Sequence, residues 1–342
     1  MHSHRRRPSL RLPPVLLIGL VVIICSQSAP AAEPPIQVAI IGADTSHSPA
    51  FAELFNAKNQ TGAVARCRVV AAYPGGSPDI PASRDRVEGF TTQLADAGIE
   101  IVDRLDELVD RADAFLLESV DGRTHLEQFR AIACGKPVFI DKPAAASAAD
   151  FLLMMEIAER TNTPFFSASS LRFCPEVREL QSSEELGAVM GAATSTPYKT
   201  EPHHPDLFWY GIHGVEALAT LLGPGCQQVT RHETDRGLVL HGVWQDGRQG
   251  QVWAVATGKP VYSFTVYGDK KVGSRIGYSG YAGLIAQIAE FFVSGQPPVV
   301  PEATLEILAM MEAADLSKQR NGRPVSLQEV IEAAHAATAN RQ

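Results

Sequence analysis

The sequence predicts two domains: an α/β domain whose parallel sheet is covered by helices on both faces, then an α+β domain carrying one open, mainly antiparallel sheet. From Ile36 to about Leu171, short apolar strands ("IQVAII", "RVVAAY", "IEIVD", "AFLLESV", "KPVFID", "PFFSAS") alternate with helical patterns ("LDELVDRA", "HLEQFRAIACG", "AADFLLMMEIAERTN"). That is the rhythm of parallel strands joined by helical crossovers. Beyond Leu171, strand-like runs ("MGAATSTP", "QQVTRHE", "LVLHGVWQ", "QVWAVATG", "YSFTVYGD") follow one another. Tyr262, Phe264 and Val266 alternate there with Ser263, Thr265 and Tyr267, as in a sheet with one buried face. A helix, "WYGIHGVEALATLLG", interrupts early, and two more close the chain at "LIAQIAEFFVSG" and "ATLEILAMMEAADLSKQRNG". A length of 342 residues with 45% hydrophobic content suffices for two cores.

The boundaries expected are 1–31 for an export signal, 32–171 for the first domain and 172–342 for the second. Arg5, Arg6 and Arg7 form a basic start, Val15 to Cys25 an apolar run, and Ala29-Pro30-Ala31 a small-residue cleavage site. The apolar run is too short for a bilayer, which needs ~20 residues, so cleavage and release to the periplasm or the medium is the reading preferred to a membrane anchor. Cleavage removes four arginines and no acid, taking the formal charge from −8 to −12. An acidic product is a poor partner for nucleic acid or an anionic membrane. Four cysteines remain without a C-x-x-C spacing, which leaves buried thiols and disulfides both open.

The stretch "VAIIGADTSHSPAF" reads as strand, tight turn and helix, the opening of a dinucleotide-binding unit with its glycines replaced. Gly42 fits the fingerprint, while Asp44 and His47 take the places of its second and third glycines. An aspartate ~4 Å from a pyrophosphate costs on the order of 4 kcal/mol at an effective dielectric near 20. The turn escapes this if Ser48 caps a helix starting at Pro49, Asp44 turns away, and Thr45, Ser46 and the helix N-terminus meet the phosphates.

Other candidate residues gather at strand ends, where open α/β sheets bind ligands. "KPVFIDKP" delivers Asp141, Lys142 and Pro143 at one exit. A lysine there suits proton transfer or the holding of a hydroxyl, and a solvated loop lysine is the alternative. "ESVDGRTH" brings Glu118, Asp121, Arg123 and His125 to the same edge, as a ligand site or as a hydrated turn. In "HHPDLFWYGIHGVEAL" helical spacing puts Trp209, His213 and Glu216 on one face. His213 is there a general acid or base, or a core histidine. His203, His204 and Asp206 have no recognised ligand spacing, so no metal is expected.

With "DKP" after the fifth strand, a histidine helix after the first domain, and the ending "PPVVPEATLEILAMMEAADLSKQRNGRPVSL", nearly all of the mature chain resembles the Gfo/Idh/MocA family, which includes glucose-fructose oxidoreductase and inositol dehydrogenase. The resemblance implies a Rossmann domain, NAD or NADP as cofactor, a sugar or polyol as substrate, and a homo-oligomer formed through the C-terminal sheet. It implies that Lys142, in an E-K-P motif with Asp141 for Glu, contacts nicotinamide and substrate hydroxyl, and that His213 takes or relays the proton. Cofactor contacts are implied at Gly42, Asp44, Thr45, Ser46, Glu118, Asp121, His125, Asp141, Lys142 and Pro143, and substrate contacts at Trp209, Tyr210, His213 and Arg172. Three departures stand out: Trp209 replaces the aspartate of D-x-x-x-H, the second strand ends in Tyr73-Pro74-Gly75-Gly76 without a ribose-binding acid, and the first turn is rewritten.

The resulting expectation is an exported NAD(P)-dependent oxidoreductase acting on a sugar or polyol. The alternatives are a redox-assisted glycoside hydrolase or lyase that retains NAD, and a non-catalytic carbohydrate-binding protein on the same fold.

Overall fold

Runs that are apolar on both alternating faces need cover on both sides, and the central strands of the first sheet are built that way. In the computed structural model, which describes His2 and residues 34–341, the strands of that sheet are β1 (Ile36–Ile41), β2 (Cys67–Tyr73), β3 (Glu100–Ile101), β4 (Ala114–Leu117), β5 (Val138–Ile140) and β6 (Phe165–Ser167). Apart from His2, the expected export signal lies outside the described residues. The six strands pair in parallel in the order β3-β2-β1-β4-β5-β6. The order reverses between β1 and β4, which opens the ligand crevice of doubly wound folds above the ends of those strands.

The helices of this half are α1 (His47–Asn56), α2 (Pro81–Arg84), α3 (Val87–Asp96), α4 (His125–Ile132) and α5 (Ala148–Thr161). Val38 and Ile40 face one layer of the core with Phe51 of α1, and Ala39 and Ile41 face the other with Phe129 of α4 and Phe151 of α5. "LDELVDRA" forms only a 3-10 turn over Leu105–Leu108, not the expected helix. Acids crowd that segment, and its apolar residues are too few to bury a full helical face.

After α6 (Pro175–Gln181) come β7 (Val189–Pro197), α7 (Asp206–Trp209), α8 (Ile212–Leu222), β8 (Cys226–Thr234), β9 (Gly237–Trp244), β10 (Gln249–Val255), β11 (Ser263–Gly268) and β12 (Val272–Ile276). The chain closes with α9 (Ala282–Ser294), α10 (Pro301–Gln319), β13 (Val325–Ser326) and α11 (Leu327–Ala339). The second sheet has the order β12-β11-β7-β10-β9-β8-β13 and is antiparallel except for the β7–β10 pair. Buried and exposed residues alternate along β9 and β10, so one face packs inward and the other faces out. The strands β12 and β13 have no counterpart in the sequence reading.

Two helix expectations are corrected. The helix through His213 is broken: α7 stops at Trp209, Tyr210 leaves helical geometry with φ −136°, and α8 starts at Ile212. Gly211 sits where an added Cβ would lie 2.5 Å from Leu207 Cδ2, so the chain turns tightly against α7. The first helix starts at His47 rather than Pro49, and Ser48 donates to Gly42 O at 2.6 Å instead of capping.

Pro35–Gln342 is one compact unit, and α9 places Ile288 and Phe291 in the core of the first sheet beside Val38 and Phe166. Gly42 sits at the crossing of the first-sheet loops: its φ is +94°, and a Cβ there would collide with the backbone of Ser119. Gly42→Ala is therefore expected to cost at least about 2 kcal/mol, read from the urea midpoint. A loss below about 0.5 kcal/mol, the level of an ordinary surface change, contradicts the close approach.

Candidate active site at the carboxyl edge of the parallel sheet

The rewritten turn turns its acid inward. Asp44 is fully buried; its Oδ1 accepts from Val120 N at 3.0 Å and its Oδ2 from Ser83 Oγ at 2.6 Å. Burial raises its pKa, opposed by those two bonds. Gly42 N and Ala43 N donate to Tyr73 O and Pro74 O at 2.9 and 2.6 Å, fixing the turn to the exit of β2. Thr45 is buried and Ser46 exposed at the start of α1.

The exit of β4 is held just as firmly. Asp121 accepts from Ser77 Oγ at 2.7 Å and pairs with Arg123 at 2.8 Å. Burial opposes its ionisation, but Arg123 and Ser77 keep its carboxyl below the ordinary range. His125 is fully buried and reaches both Ser119 O at 2.8 Å and Ala144 O at 3.2 Å, joining this loop to the one after β5. Gly122 would place a Cβ 2.9 Å from Pro143 Cγ, so the two loops are packed without a gap. Asp44, Asp121 and His125 are thus engaged by protein groups, and they shape the loops around the crevice.

At the exit of β5, Asp141 Oδ2 lies 2.7 Å from His47 Nδ1 of α1. Burial pushes the Asp141 carboxyl up, but His47 and Lys142 outweigh it and hold it down at about 2. Lys142 is buried and has no ion-pair partner among the described residues. Glu118 is fully buried, and neither of its carboxyl oxygens nor Ser119 Oγ has a hydrogen-bond partner. Burial and the Asp141 charge push Glu118 well above the carboxylate range, against the pull of Lys142.

From the second half α8 contributes His213, whose Nδ1 is 2.8 Å from Ser169 Oγ. Burial, with Lys142 and His47 adding, drives its pKa well below the usual value, so the ring is neutral. Glu216 Oε2 accepts from Ser169 N at 2.7 Å, and its Oε1 accepts from Arg172 Nε at 2.7 Å. An edge-to-face chain of rings runs from Tyr210 through His213, Tyr262, Tyr278 and Tyr281 to His47, each pair 5.0–6.0 Å apart. The structure therefore brings His47, Glu118, Asp141, Lys142 and His213 into one electrostatically linked cluster.

Some predicted neighbours stand apart. Trp209 is on α7, not on the His213 face, and packs on His204 at 5.4 Å. His204 Nε2 accepts from Gly122 N at 3.2 Å, exposed His203 pairs with Glu201, and Asp206 pairs with Arg231. His47 and the tyrosines 262, 278 and 281 were missed as site residues. The signal for His47 was its intrusion into a glycine position; nothing in local spacing marks the tyrosines, which arrive from the residue before β11 and from the segment before α9.

Solved structures share this fold. GenD2 from gentamicin A biosynthesis, in complex with NAD, superposes with a TM-score of 0.68 at 16% identity, covering 86% of this chain and 96% of that one. The chain has the fold of the Gfo/Idh/MocA dehydrogenases. Scyllo-inositol dehydrogenase from Lactobacillus casei, with NAD(H) and scyllo-inositol bound, gives a TM-score of 0.69 at 14% identity over 86% and 99% of the two chains. The myo-inositol dehydrogenase of the same organism, with NAD(H) and myo-inositol, gives 0.67 at 14% over 85% and 96%. No family model and no curated protein sequence matches the chain.

On this Gfo/Idh/MocA frame, His204 locks the loop after β4 to the segment before α7. Burial lowers its pKa to about 4, while an unfolded histidine titrates near about 6.5. Between those values the unfolded chain binds the extra proton, so stability falls as pH drops, by up to about 1.4 kcal/mol per pH unit for this group. Urea unfolding from pH 7 to 5 is expected to show that slope reduced in His204→Gln. An unchanged slope contradicts the assignment.

Proposed function

We propose that the chain is an exported NAD(P)-dependent oxidoreductase acting on a hydroxyl of a sugar or polyol. The observation that carries the reading is the meeting of buried, unpaired Lys142 with neutral His213 at the crevice of the first sheet. The likeness to structures solved with NAD(H) and inositols supports it. For export, the support is the basic, apolar and small-residue order of residues 5–31. Among the described residues no helix is long and apolar enough to cross a membrane.

The residues fit the nicotinamide end of a dinucleotide. The unpartnered oxygens of Glu118, beside Lys142, and the unpartnered Ser119 Oγ, beside Gly42, call for a polar ligand. At the other end, Asp44 has turned into the protein, which removes the charge that would repel a pyrophosphate and leaves Thr45, Ser46 and the N-terminus of α1 to meet it. When bound, the nicotinamide ring supplies the hydride acceptor. Lys142 holds the substrate hydroxyl and stabilises charge developing on its oxygen. In the tautomer whose Nδ1–H donates to Ser169 Oγ, His213 keeps Nε2 free to accept the hydroxyl proton. Ser169, fixed by Glu216, takes over the orienting role of the absent aspartate. Tyr210, Tyr262 and Tyr278 offer ring faces to a carbohydrate.

Lys142→Ala is expected to keep the fold and to lose at least about 100-fold in turnover, the usual contribution of a proton-transfer group. The measurement is a polyol and sugar panel followed by nicotinamide absorbance, with circular dichroism as the folding control. Turnover equal to that of the parent protein contradicts the role of Lys142.

We also propose that the outer face of the second sheet packs on a second copy, because Met190, Trp253 and Tyr267 are 61%, 52% and 47% exposed there. Trp253→Glu is expected to lower the mass found by sedimentation. A parent protein that sediments as a monomer contradicts this assembly.

A further inference from the structure

Three strand exits deliver one ligand-type side chain each to a single point: His47 from the turn after β1, Glu118 from β4 and Asp141 from β5. One donor atom from each lies within 4.8 Å of the other two. We propose that these three residues form a binding site for a divalent transition-metal ion. The proposal goes beyond the oxidoreductase reading and does not depend on it.

The deciding observation is Glu118. Its side chain is completely withdrawn from water, it points into the cluster, and both of its oxygens lack a hydrogen-bond donor. A buried carboxyl in that condition is costly unless something satisfies it. Nearby backbone N–H groups are engaged elsewhere: Asp141 N donates to Leu117 O, Glu118 N to Ile41 O, and Val120 N to Asp44. Lys142 faces the same carboxylates but makes no ion pair with either. A metal ion is the ligand that answers two carboxylates and an imidazole nitrogen together.

The donor set narrows the ion. One imidazole with two carboxylates suits Zn²⁺, Mn²⁺ or Fe²⁺ better than Mg²⁺ or Ca²⁺, which prefer oxygen throughout. Three protein ligands leave at least one position for water or for a substrate hydroxyl. The positive charge of Lys142 opposes the ion, and the two carboxyl groups with the imidazole have to outweigh it. His47 is 14% exposed, which gives the ion a path from solvent. Its 2.7 Å contact with Asp141 has only to open to the spacing of two ligands on one ion.

The test uses purified protein stripped with a chelator and desalted, without added dinucleotide, titrated with Zn²⁺ and with Mn²⁺ by calorimetry. Co²⁺ loading, read by visible absorption, reports inner-sphere ligation. One equivalent of tight binding is expected, weakened at least 10-fold in Glu118→Gln and in His47→Gln, with the Co²⁺ bands altered in both. His203→Ala, which removes the exposed histidine of another loop, is expected to leave binding unchanged. Melting curves establish that each variant is folded, and either of the two ligand variants alone suffices for the comparison. No saturable equivalent in the parent protein, or one that persists in both ligand variants, overturns the site. The oxidoreductase reading is tested separately, by turnover in Lys142→Ala and by dinucleotide binding, so that result leaves it standing.

Discussion

Three aspartates, Asp44, Asp121 and Asp141, are withdrawn from water along one edge of the parallel sheet, and their need for donors ties together the loops after β1, β2, β4 and β5. A buried carboxylate without partners is costly, and it either finds donors or is pushed toward its neutral form, as Glu118 is. Asp44 draws Val120 N and Ser83 to itself, Asp121 draws Ser77 and Arg123, and Asp141 draws His47. All of these except the Asp121–Arg123 pair tie the exit of one strand to that of another or to the segment that follows it. The turn after β1 is joined in this way to β2, β4 and β5, with Gly42 as the point of closest approach.

The same bonds give the crevice its chemistry. With Asp44 turned into the protein, the turn can face phosphate without repelling it, and with Asp141 held by His47, Lys142 is left without an ion-pair partner of its own. The second half of the chain completes the wall. The break between α7 and α8 directs His213 toward Ser169 and carries Trp209 away to His204. His213 Nδ1 is therefore paired with Ser169, just past the exit of β6, and Trp209 lies away from it.

Much of this was legible in the sequence, because alternating apolar strands and helices have a period that local residues set. The six parallel strands, the change of rhythm after Leu171, the second sheet and the exit positions of Lys142 and Glu118 all followed from such patterns. What failed was of two kinds. The helix through Trp209 and His213 has helical composition, but Gly211 and the packing of Leu207 break it, and tertiary contact outweighs local propensity there. Ser48 has the side chain of a cap, yet its hydroxyl is claimed by Gly42 O once the turn folds back. His47 with Asp141, and the tyrosines from β11 onward, meet only through the fold, 94 residues or more apart for the first pair. No spacing rule reports a contact of that range.

The account stands or falls on whether the rewritten turn still serves a dinucleotide. Purified protein should be denatured and the supernatant read for NAD(P) by absorbance and mass, with fresh NAD⁺ and NADP⁺ titrated into the native protein by calorimetry. The expected result is near-stoichiometric dinucleotide in the supernatant or saturable binding of one of the two cofactors. Neither dinucleotide released nor either cofactor bound would contradict the account: the turn of Gly42 to Ser46 would then serve some other ligand.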